Sequence, residues 1–317
     1  MEKILITGST GFIGKELIKK LRQKNFEIHT LERYVTGRYN LDNGRNLINH
    51  YASLADYSAI RSLVKSVQPD YVIHLGALSA VSFSYDHYVE VSETNYLGTI
   101  NLAEACYREA PSFKQFIFAG TSEEYGMVLK DKSKKILESS ELQPNSPYAV
   151  AKVAGDLYLR YMHAAYQFPY TVLRPFNTYG RTDNTHFFIE RTITQMLNAD
   201  TVYLGDSEAI RDWLYVDDHV DGYLKALDNK KAIGEEIQLC TGKGYTTKET
   251  AEIIAKLTSF EGKIIWNSTP MRPLDAHILI GDNSKAKKLL SWEPKYSLTE
   301  GLTKTINYWK ETKTHDN

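Results

Sequence analysis

A tyrosine and a lysine four residues apart have the clearest potential for acid–base chemistry in this sequence. In the stretch SPYAVAK, Tyr148 precedes Lys152 by about one helical turn, so a helix would place both side chains on one face. An ammonium group beside a phenol lowers the pKa of the phenol, which makes it usable as an acid or base near neutral pH. Such pairs also occur by chance in helices, so the rest of the chain must support this interpretation.

A hydroxyl and two carboxylates follow an apolar run in the stretch GTSEEYG. The run FKQFIFA is expected to form a buried strand, and Thr121, Ser122 and Glu123 come soon after it. Ligands of open α/β sheets bind outside the carboxyl ends of the strands, so these residues are candidates for chemistry. Glu124 should point to the opposite side from Glu123 and is expected to face solvent.

Three glycines predict a phosphate-binding loop near the N-terminus. Gly8, Gly11 and Gly14 follow the first apolar run, KILITG, and precede an amphipathic stretch. Glycines at this place allow a tight turn and let backbone N–H groups approach a pyrophosphate at a helix N-terminus. Their G-x-x-G-x-x-G spacing differs from the G-x-G-x-x-G of dehydrogenases and indicates a different branch of dinucleotide-binding proteins.

The end of the second apolar run, FEIHTLER, bears on which dinucleotide is bound. Glu32 would accept a hydrogen bond from the 2′-hydroxyl of adenosine and repel a 2′-phosphate, whereas Arg33 would attract that phosphate. Because Glu32 comes first, NAD is the expected cofactor and NADP is the alternative. Asp56, in ADYSA, follows a third strand segment and is expected to meet the adenine.

Short apolar runs alternate with amphipathic stretches through the first half of the chain. This rhythm predicts repeated βα units and therefore an α/β fold with a doubly wound parallel sheet of the Rossmann type. After RPFNTYG the rhythm becomes irregular, which predicts a smaller C-terminal α/β lobe interleaved with the sheet. We predict a dinucleotide-binding domain over residues 1–175, with segments near 210–240 returning to it, and a substrate lobe over 176–317.

Composition argues against several classes of protein. Hydrophobic residues make up 42% and charged residues 24% of the 317 residues, and the formal net charge is −1. This charge offers no general attraction for nucleic acid or an anionic membrane. Met1 leads directly into a strand, and the longest apolar run is far below the ~18 residues that span a bilayer, so a cytoplasmic protein is expected. The cysteines and histidines lack metal-ligand spacing, and no metal is expected.

Together these motifs resemble the extended short-chain dehydrogenases/reductases, in the branch of nucleotide-sugar epimerases and dehydratases. The resemblance covers nearly the whole chain, through TGSTGFIG, HLGA, ETNYLGT, TSEEYG, SPYAVAK, RPFNTYG, RDWLYVDDH and GDNSKAKKLLSWEP. It implies a nicotinamide cofactor that stays bound through turnover and a nucleotide-diphosphate sugar under the C-terminal lobe. It is greatest to the group of GDP-mannose 4,6-dehydratases and the GDP-4-keto-6-deoxymannose reductases.

The resemblance also implies roles for individual residues. Thr121, Tyr148 and Lys152 would form a catalytic triad in which Tyr148 takes the proton of the sugar 4-hydroxyl and Lys152 also holds the nicotinamide ribose. Glu123 would remove the C5 proton and help water to leave C6. The residues expected at the cofactor are Gly8, Thr10, Gly11, Phe12, Ile13, Gly14, Glu32, Arg33, Asp56, Leu75, Ala77, Asn95, Tyr148, Lys152 and Pro175. Those expected at the substrate are Ser79, Ser122, Asn177, Arg191, Arg211 and Arg272.

The implied activity is a 4,6-dehydratase that converts a nucleotide-diphosphate hexose to its 4-keto-6-deoxy form. A 4-epimerase, a 4-keto reductase and a decarboxylase on the same fold stay open, because Thr-Ser-Glu also occurs outside dehydratases. The segment RTDNTHFFIE departs from the arginine-rich segment typical of GDP-mannose dehydratases, so the base and the sugar stay open too. A non-catalytic dinucleotide-binding regulator is the alternative from another class, and the intact triad argues against it.

Two long stretches predict how subunits assemble. Residues 89–109 and 147–167 are each expected to form one long helix that is apolar over more than one face. The resemblance implies that such helices pair between subunits as a four-helix bundle, so a homodimer is expected.

Overall fold

Parallel strands dominate the computed structural model of the protein, which describes residues 1–33, 46–127, 129–268 and 273–315. Within these ranges the strands are β1 (Glu2–Thr7), β2 (Phe26–Glu32), β3 (Leu47–Tyr51), β4 (Tyr71–His74), β5 (Gln115–Ala119), β6 (Tyr170–Pro175), β7 (Asn177–Tyr179), β8 (Thr201–Tyr203), β9 (Ile210–Arg211), β10 (Trp213–Tyr215), β11 (Glu235–Leu239), β12 (Tyr245–Thr246), β13 (Lys263–Ile265) and β14 (Ile278–Leu279). Seven of them form one sheet in the order β11, β6, β5, β4, β1, β2, β3, with every neighbouring pair parallel. This order confirms the predicted Rossmann-type sheet.

Helices connect these strands and cover the sheet. In the same ranges they are α1 (Phe12–Leu21), α2 (Tyr57–Val67), α3 (Val81–Asp86), α4 (Tyr88–Ser92), α5 (Gly98–Glu109), α6 (Pro147–Tyr166), α7 (Phe188–Asn198), α8 (Val216–Ala226), α9 (Thr247–Thr258), α10 (Ser284–Leu290) and α11 (Leu298–His315). None of the helices within the described ranges is long and apolar enough to cross a membrane.

Apolar side chains cover both faces of the sheet, because successive residues of a strand point to opposite faces. Ile4 and Ile6 of β1 pack in one cluster with α1, α8 and α10, whereas Leu5 packs in the other with α2, α5 and α6. Strand β11 and helix α8 come from the second half of the chain, so that half contributes both a strand and a covering helix to the main sheet. The domain bounds expected from the sequence, with returning segments near 210–240, stay predictions.

A separate apolar cluster holds the C-terminal lobe together. It joins α7, α9 and α11 through residues such as Ile193, Ile254 and Leu302. Small sheets lie here, formed by β10 with β7, by β12, β9 and β14, and by β13 with β8. Their strands have two or three residues each, which explains why the sequence showed irregular rhythm in this part.

The stretch predicted as one long helix over 89–109 is interrupted by a wider turn. Helix α4 continues into a π-helical segment, Glu93–Leu97, and only then into α5. The wider turn contains Asn95, whose side chain exchanges two hydrogen bonds with the backbone of Leu78, at 2.8 and 3.1 Å. Thr99 donates to the carbonyl of Asn95 at 2.7 Å. Segments of this kind are frequent at functional sites, and here the segment anchors the loop that follows β4.

Candidate active site

Most of the predicted site residues lie along the carboxyl edge of the main sheet. Gly8 follows β1, Glu32 ends β2, Leu75 follows β4, Thr121 comes two residues after β5 and Pro175 ends β6. The strand order reverses between β1 and β4, and open α/β sheets bind their ligands at such a reversal. The sheet therefore brings residues that are far apart in sequence to one edge.

The glycine loop has the geometry of a phosphate cradle. Gly8 has a φ of +71°, and a Cβ on it would lie 2.8 Å from the backbone nitrogen of Gly76. Gly11 precedes the first turn of α1, and no side chain of the described residues caps that helix. Its first N–H groups are thus available to an anion. Among the described residues, the buried hydroxyl of Ser9 also has no partner, so this loop can donate to phosphate oxygens.

Glu32 has a buried oxygen that suits an adenosine ribose. The Thr10 hydroxyl donates to Oε2 of Glu32 at 2.8 Å, while Oε1 is buried and has no partner within the described residues. Burial raises the pKa of this carboxyl, and a ribose hydroxyl would supply the missing donor. Arg33 pairs instead with Glu90 at 3.2 Å on the surface, which agrees with NAD rather than NADP.

Asp56 is the N-cap of helix α2, a structural role that the sequence analysis did not assign. It is exposed and caps helix α2, accepting a hydrogen bond from the backbone of Ala59 at 3.0 Å. Its other predicted role, at the adenine, stays a prediction.

A chain of hydrogen bonds holds the segment after β4 against the end of β1, next to the glycine loop. The backbone of Gly76 donates to the Thr7 hydroxyl at 2.9 Å, and that hydroxyl lies 2.7 Å from Nδ1 of His74. Nε2 of His74 lies 3.0 Å from the hydroxyl of Thr99, which itself donates to Asn95. Burial and the charge of Lys152 lower the pKa of His74 to about 3, so this histidine is neutral and structural.

The other predicted cofactor residues line the same region. Phe12, Ile13 and Gly14 begin α1, Leu75 and Ala77 follow β4, and Asn95 and Pro175 lie in the π-helical segment and at the end of β6. Asn95 is fully buried and bound to Leu78, so in this structure it positions the loop rather than presenting its amide. The contacts of the whole set with a cofactor stay predictions.

The turn after β5, which carries the residues predicted to be catalytic, is a short 3₁₀ segment, Ser122–Glu124. Thr121 caps it: its hydroxyl accepts from the backbone of Glu123 at 3.2 Å, and its own backbone N–H donates to Oε1 of Glu124 at 2.9 Å. This reciprocal pair is a capping box. It fixes the orientation of Thr121 at the strand end.

Tyr148 and Lys152 lie on one face of α6, as predicted. The helix begins at Pro147, capped by Ser146, whose hydroxyl accepts from Ala149 at 3.1 Å. Nζ of Lys152 donates to the carbonyl of Ala119, the last residue of β5, at 2.8 Å. This bond joins the helix to the end of the strand that carries the catalytic turn.

The predicted effect of Lys152 on the phenol is not what the structure shows. Burial raises the pKa of Tyr148, a hydrogen bond with Thr121 lowers it, and the charges of Glu124 and Glu123 raise it. Lys152 is itself buried, which lowers its pKa to about 8 against the charge of Glu124. The ammonium is held on a strand-end carbonyl, so Thr121 rather than Lys152 favours the ionised phenol here.

Glu123 lies inside the site rather than in a solvated turn. Its residue is 8% exposed. With the amide oxygen and nitrogen of Asn145 assigned so that both find partners, this amide donates to Oε2 of Glu123 at 3.2 Å and accepts from the backbone of Ala276 at the same distance. The charge of Glu123 raises the pKa of Tyr148, so the carboxylate acts electrostatically on the phenol. The hydrogen bond from the side-chain amide of Asn145 holds this carboxylate in one orientation.

The prediction that Glu124 faces solvent is wrong. Its side chain is fully buried, with Oε2 2.9 Å from Nε of Arg174, and Arg174 also pairs with Asp156 at 2.5 Å. The physical reason is that the chain leaves β5 in a capped 3₁₀ turn rather than as a continuing strand, so alternation no longer applies. The spacing Thr-x-x-Glu of a capping box was the sequence signal that could have revealed this.

The predicted substrate residues are spread over both lobes. Ser79 is exposed, Ser122 is buried in the catalytic turn, and Arg191 lies on α7. Asn177 begins β7, and its side-chain oxygen is buried without a partner among the described residues, which suits a ligand hydroxyl. Arg211 donates to Asp275 at 3.2 Å, so its guanidinium group forms an ion pair within the protein. Arg272 lies outside the described residues.

Sequence reasoning missed two further polar groups of the site, Ser9 and Asn145. Ser9 sits between two predicted cradle residues and has a side chain that can donate to phosphate. Asn145 comes just before α6, and only the fold brings it to Glu123. In the described part of the chain, histidine, cysteine and carboxylate side chains form no group of three or more that would suit a metal ion.

Comparison with known proteins agrees with this geometry. A sequence model of the family described as GDP-mannose 4,6 dehydratase matches residues 5–305. The GDP-mannose 4,6-dehydratase of Yersinia enterocolitica is 29% identical, with 95% of this chain and 91% of that protein covered. The structure of Thermotoga maritima UDP-glucose 4-epimerase with UDP-glucose superposes with a TM-score of 0.89 at 31% identity, covering 98% and 99% of the two chains.

A second solved structure bears on the cofactor. The UDP-glucose 4-epimerase of Thermus thermophilus, in complex with NAD, superposes with a TM-score of 0.87 at 26% identity, covering 97% of this chain and 99% of that one. This complex supports the predicted NAD cofactor.

Fold and site together define a dinucleotide-binding protein of the short-chain dehydrogenase/reductase type. Within that class, the chain belongs to the GDP-mannose 4,6-dehydratase family, among the nucleotide-sugar epimerases and dehydratases. The family resemblance inferred from the motifs is thereby confirmed.

Proposed function

We propose that the protein is an NAD-dependent 4,6-dehydratase of a nucleotide-diphosphate hexose. The observation that carries this proposal is the position of Glu123, a buried carboxylate oriented by Asn145 beside Tyr148 and Thr121. Oxidation and reduction at C4 need only the triad, whereas elimination across C5 and C6 needs a further acid–base group. Glu123 is the group in this site that suits that second proton transfer.

The chain's own residues divide the work of the proposed reaction. Tyr148 takes the proton of the sugar 4-hydroxyl while Thr121 holds the 4-oxygen. Glu123 then removes the proton at C5 and delivers a proton to the departing C6 hydroxyl, so that water leaves. When C6 is reduced, a proton from solvent reaches C5 through Glu123, and Tyr148 releases the proton of the 4-hydroxyl to solvent. NAD, held by the glycine cradle and Glu32, supplies a hydride acceptor at C4 and a donor at C6. The product is the 4-keto-6-deoxy sugar, one water lighter than the substrate.

A 4-epimerase is the second candidate. The Thermotoga maritima epimerase, at 31% identity, favours it. A 4-epimerase needs no proton transfer at C5, so it leaves the orientation of Glu123 without a purpose. Residue Asn177 and the arginines of the C-terminal lobe are the proposed contacts with the nucleotide diphosphate in either case, since guanidinium groups bind phosphates bidentately.

Product analysis separates these reactions. The purified chain is incubated with a panel of GDP-, UDP- and dTDP-hexoses, nucleotide uronic acids and, with added NADH or NADPH, nucleotide 4-keto-6-deoxy sugars, and the products are analysed by mass spectrometry. The proposal expects the loss of one water from one substrate class. An unchanged mass with a new stereoisomer would show a 4-epimerase, a gain of two hydrogens a reductase, and a loss of carbon dioxide from a uronic acid a decarboxylase.

The Glu32 carboxylate should set the preference for NAD. Glu32→Gln removes the charge that repels a 2′-phosphate and weakens the hydrogen bond to the ribose, so NAD affinity should fall about tenfold and the NAD-to-NADP ratio should move toward NADP. Calorimetric titration of the cofactor-stripped protein measures both affinities. Arg33→Gln is the control, because Arg33 pairs with Glu90 and should leave the ratio unchanged. A wild-type protein that binds NADP more tightly than NAD would contradict this assignment.

The proposed homodimer has a candidate surface on α5 and α6. Apolar side chains stand exposed along these helices, including Tyr107, Val150, Leu157 and Tyr161. Apolar residues at this exposure favour a partner surface. We expect a dimer in sedimentation velocity at micromolar concentration, and Leu157→Glu should shift it to monomer while the circular dichroism stays unchanged. A monomeric wild-type protein would remove this proposal.

A further inference from the structure

Two side chains form hydrogen bonds with the backbone on either side of Gly120, just before Thr121. Lys152 donates to the carbonyl of Ala119 at 2.8 Å, and Glu124 accepts from the backbone N–H of Thr121 at 2.9 Å. Gly120 lies between these bonds, and a Cβ on it would come 2.8 Å from Oε1 of Glu124 and 2.9 Å from the side chain of Arg174. The backbone therefore fits closely against the carboxylate and its guanidinium partner.

The carboxylate of Glu124 has its own buried anchor. Arg174 and Asp156 are fully buried like Glu124, and Arg174 bonds to Asp156 through two nitrogens and to the Tyr125 hydroxyl at 2.7 Å. Gln238 donates to the same hydroxyl at 3.0 Å. Buried ionic groups such as these keep one arrangement, because leaving any of their charges unpaired would lower the stability of the folded protein.

We propose that Glu124 is a positioning residue for the sugar chemistry. Its carboxylate, fixed on Arg174, holds the backbone of Thr121 and thereby sets the place of the Thr121 hydroxyl against the phenol of Tyr148. Glu124 touches neither reacting atoms nor a proton in transit, and it acts through Thr121. This inference rests on the proposed role of the triad at C4, which dehydratases and epimerases share, and not on the dehydration step.

The electrostatics of the surroundings supply a readout. Lys152 faces the charge of Glu124 and the uncharged ring of His74, and it lies one helical turn from Tyr148 on α6. Burial raises the pKa of Glu124 to about 8; the charge of Arg174 opposes this rise and the charge of Asp156 adds to it, so Glu124 is ionised over the upper part of the pH range in which Lys152 titrates. Burial lowers the pKa of Lys152 to about 8 and the charge of Glu124 raises it, so removing that charge should lower the pKa further. Lys152 would then lose its proton at a lower pH than in the wild-type protein.

The matched pair of variants is Glu124→Gln and Asp156→Asn. Both remove one buried carboxylate from Arg174, but only Glu124 is bonded to the catalytic turn. The glutamine amide can accept from Thr121 only by turning its NH₂ group toward the guanidinium, so it loses either the hydrogen bond from Thr121 or the contact with Arg174. We expect the single-turnover rate of C4 oxidation to fall about 10–100-fold in Glu124→Gln, because a small misplacement of the reacting groups has an effect of this size. The affinity for the substrate should stay nearly unchanged. Asp156→Asn should lower the rate much less, because the bond from Thr121 to Glu124 and the contact of Glu124 with Arg174 are left in place.

A measurement without substrate gives the second test. The Nζ signal of Lys152 is followed by NMR from pH 6 to pH 10 in lysine-labelled protein, and it is assigned by its loss in Lys152→Met. The midpoint should fall in Glu124→Gln and stay in place in Asp156→Asn. Glu124→Leu serves the same test if the glutamine variant does not fold, since Asp156 still pairs with Arg174.

The outcomes distinguish this inference from the proposed function. A normal oxidation rate and a normal Lys152 midpoint in the Glu124 variants would overturn the positioning role, whatever the wild-type protein produces. A wild-type protein that epimerises rather than dehydrates would overturn the proposed function alone, because C4 oxidation and the Lys152 midpoint can still be measured.

Discussion

Tyr148→Phe should leave the protein unable to begin the reaction. Without the phenol, the proton of the sugar 4-hydroxyl has no acceptor, so C4 oxidation should slow by about 10²–10⁴-fold while the binding of nucleotide sugar changes little. Stopped-flow absorbance of reduced nicotinamide measures the oxidation in a single turnover. The expected split, a low kcat with a nearly constant dissociation constant, follows because the hydroxyl acts on the transition state rather than on ground-state binding.

A tyrosine on the same helix provides the control. Tyr158 lies ten residues further along α6, and its hydroxyl donates to Glu104 at 2.7 Å, on the side of the helix that faces α5. Tyr158→Phe should therefore leave the oxidation rate unchanged. A Tyr148→Phe variant that oxidises the sugar at a normal rate would show that another group takes the proton, and the triad would have to be reassigned.

Glu123→Gln should separate oxidation from elimination. The amide cannot take the proton at C5, so the 4-keto hexose should accumulate on the protein, two hydrogens lighter than the substrate, while water loss slows by about 10²–10⁴-fold. Quenched samples analysed by mass spectrometry distinguish this species from substrate and product. Glu141→Gln, in an exposed carboxylate of the loop before α6, is the control and should keep full activity.

A normal turnover rate of the Glu123→Gln variant would contradict this prediction. If that variant also accumulates no oxidised sugar, the carboxylate has no part in the reaction. The 4-epimerase would then be the better function, since it requires no proton transfer at C5.

Most of the main sheet was predictable because β1, β2, β4, β5 and β6 are short apolar runs of their own, whereas β3 has only two aliphatic residues and gave no such signal. Residues of β1 such as Ile4 and Ile6 alternate with Leu5 between two cores, and this pattern survives in the sequence. The small strands of the C-terminal lobe were not predictable, because β9 and β14 have two residues each and depend on pairing with distant segments. Local sequence carries no signal for such pairs.

The site shows the same division. Tyr148 and Lys152 were predictable because a single helix sets their spacing. Asn145 and its bond to Glu123 were not, because they depend on how the segment before α6 returns to the turn after β5. Glu124 was misjudged because strand alternation was extended past Ala119, where the chain had already turned. The pKa of Tyr148 could not be inferred from spacing either, since burial and the carboxylates of Glu124 and Glu123 all raise it.

The proton at C5 of the sugar provides the most direct test of the proposed dehydration. The wild-type protein is supplied with the nucleotide hexose that it converts, in deuterated water, and the product is examined by mass spectrometry and NMR. Because Glu123 would exchange its proton with solvent between removing the C5 proton and completing the reaction, the product should have lost water and should carry deuterium at C5. A product that keeps all its oxygen atoms and has only hydrogen at C5 would contradict the account.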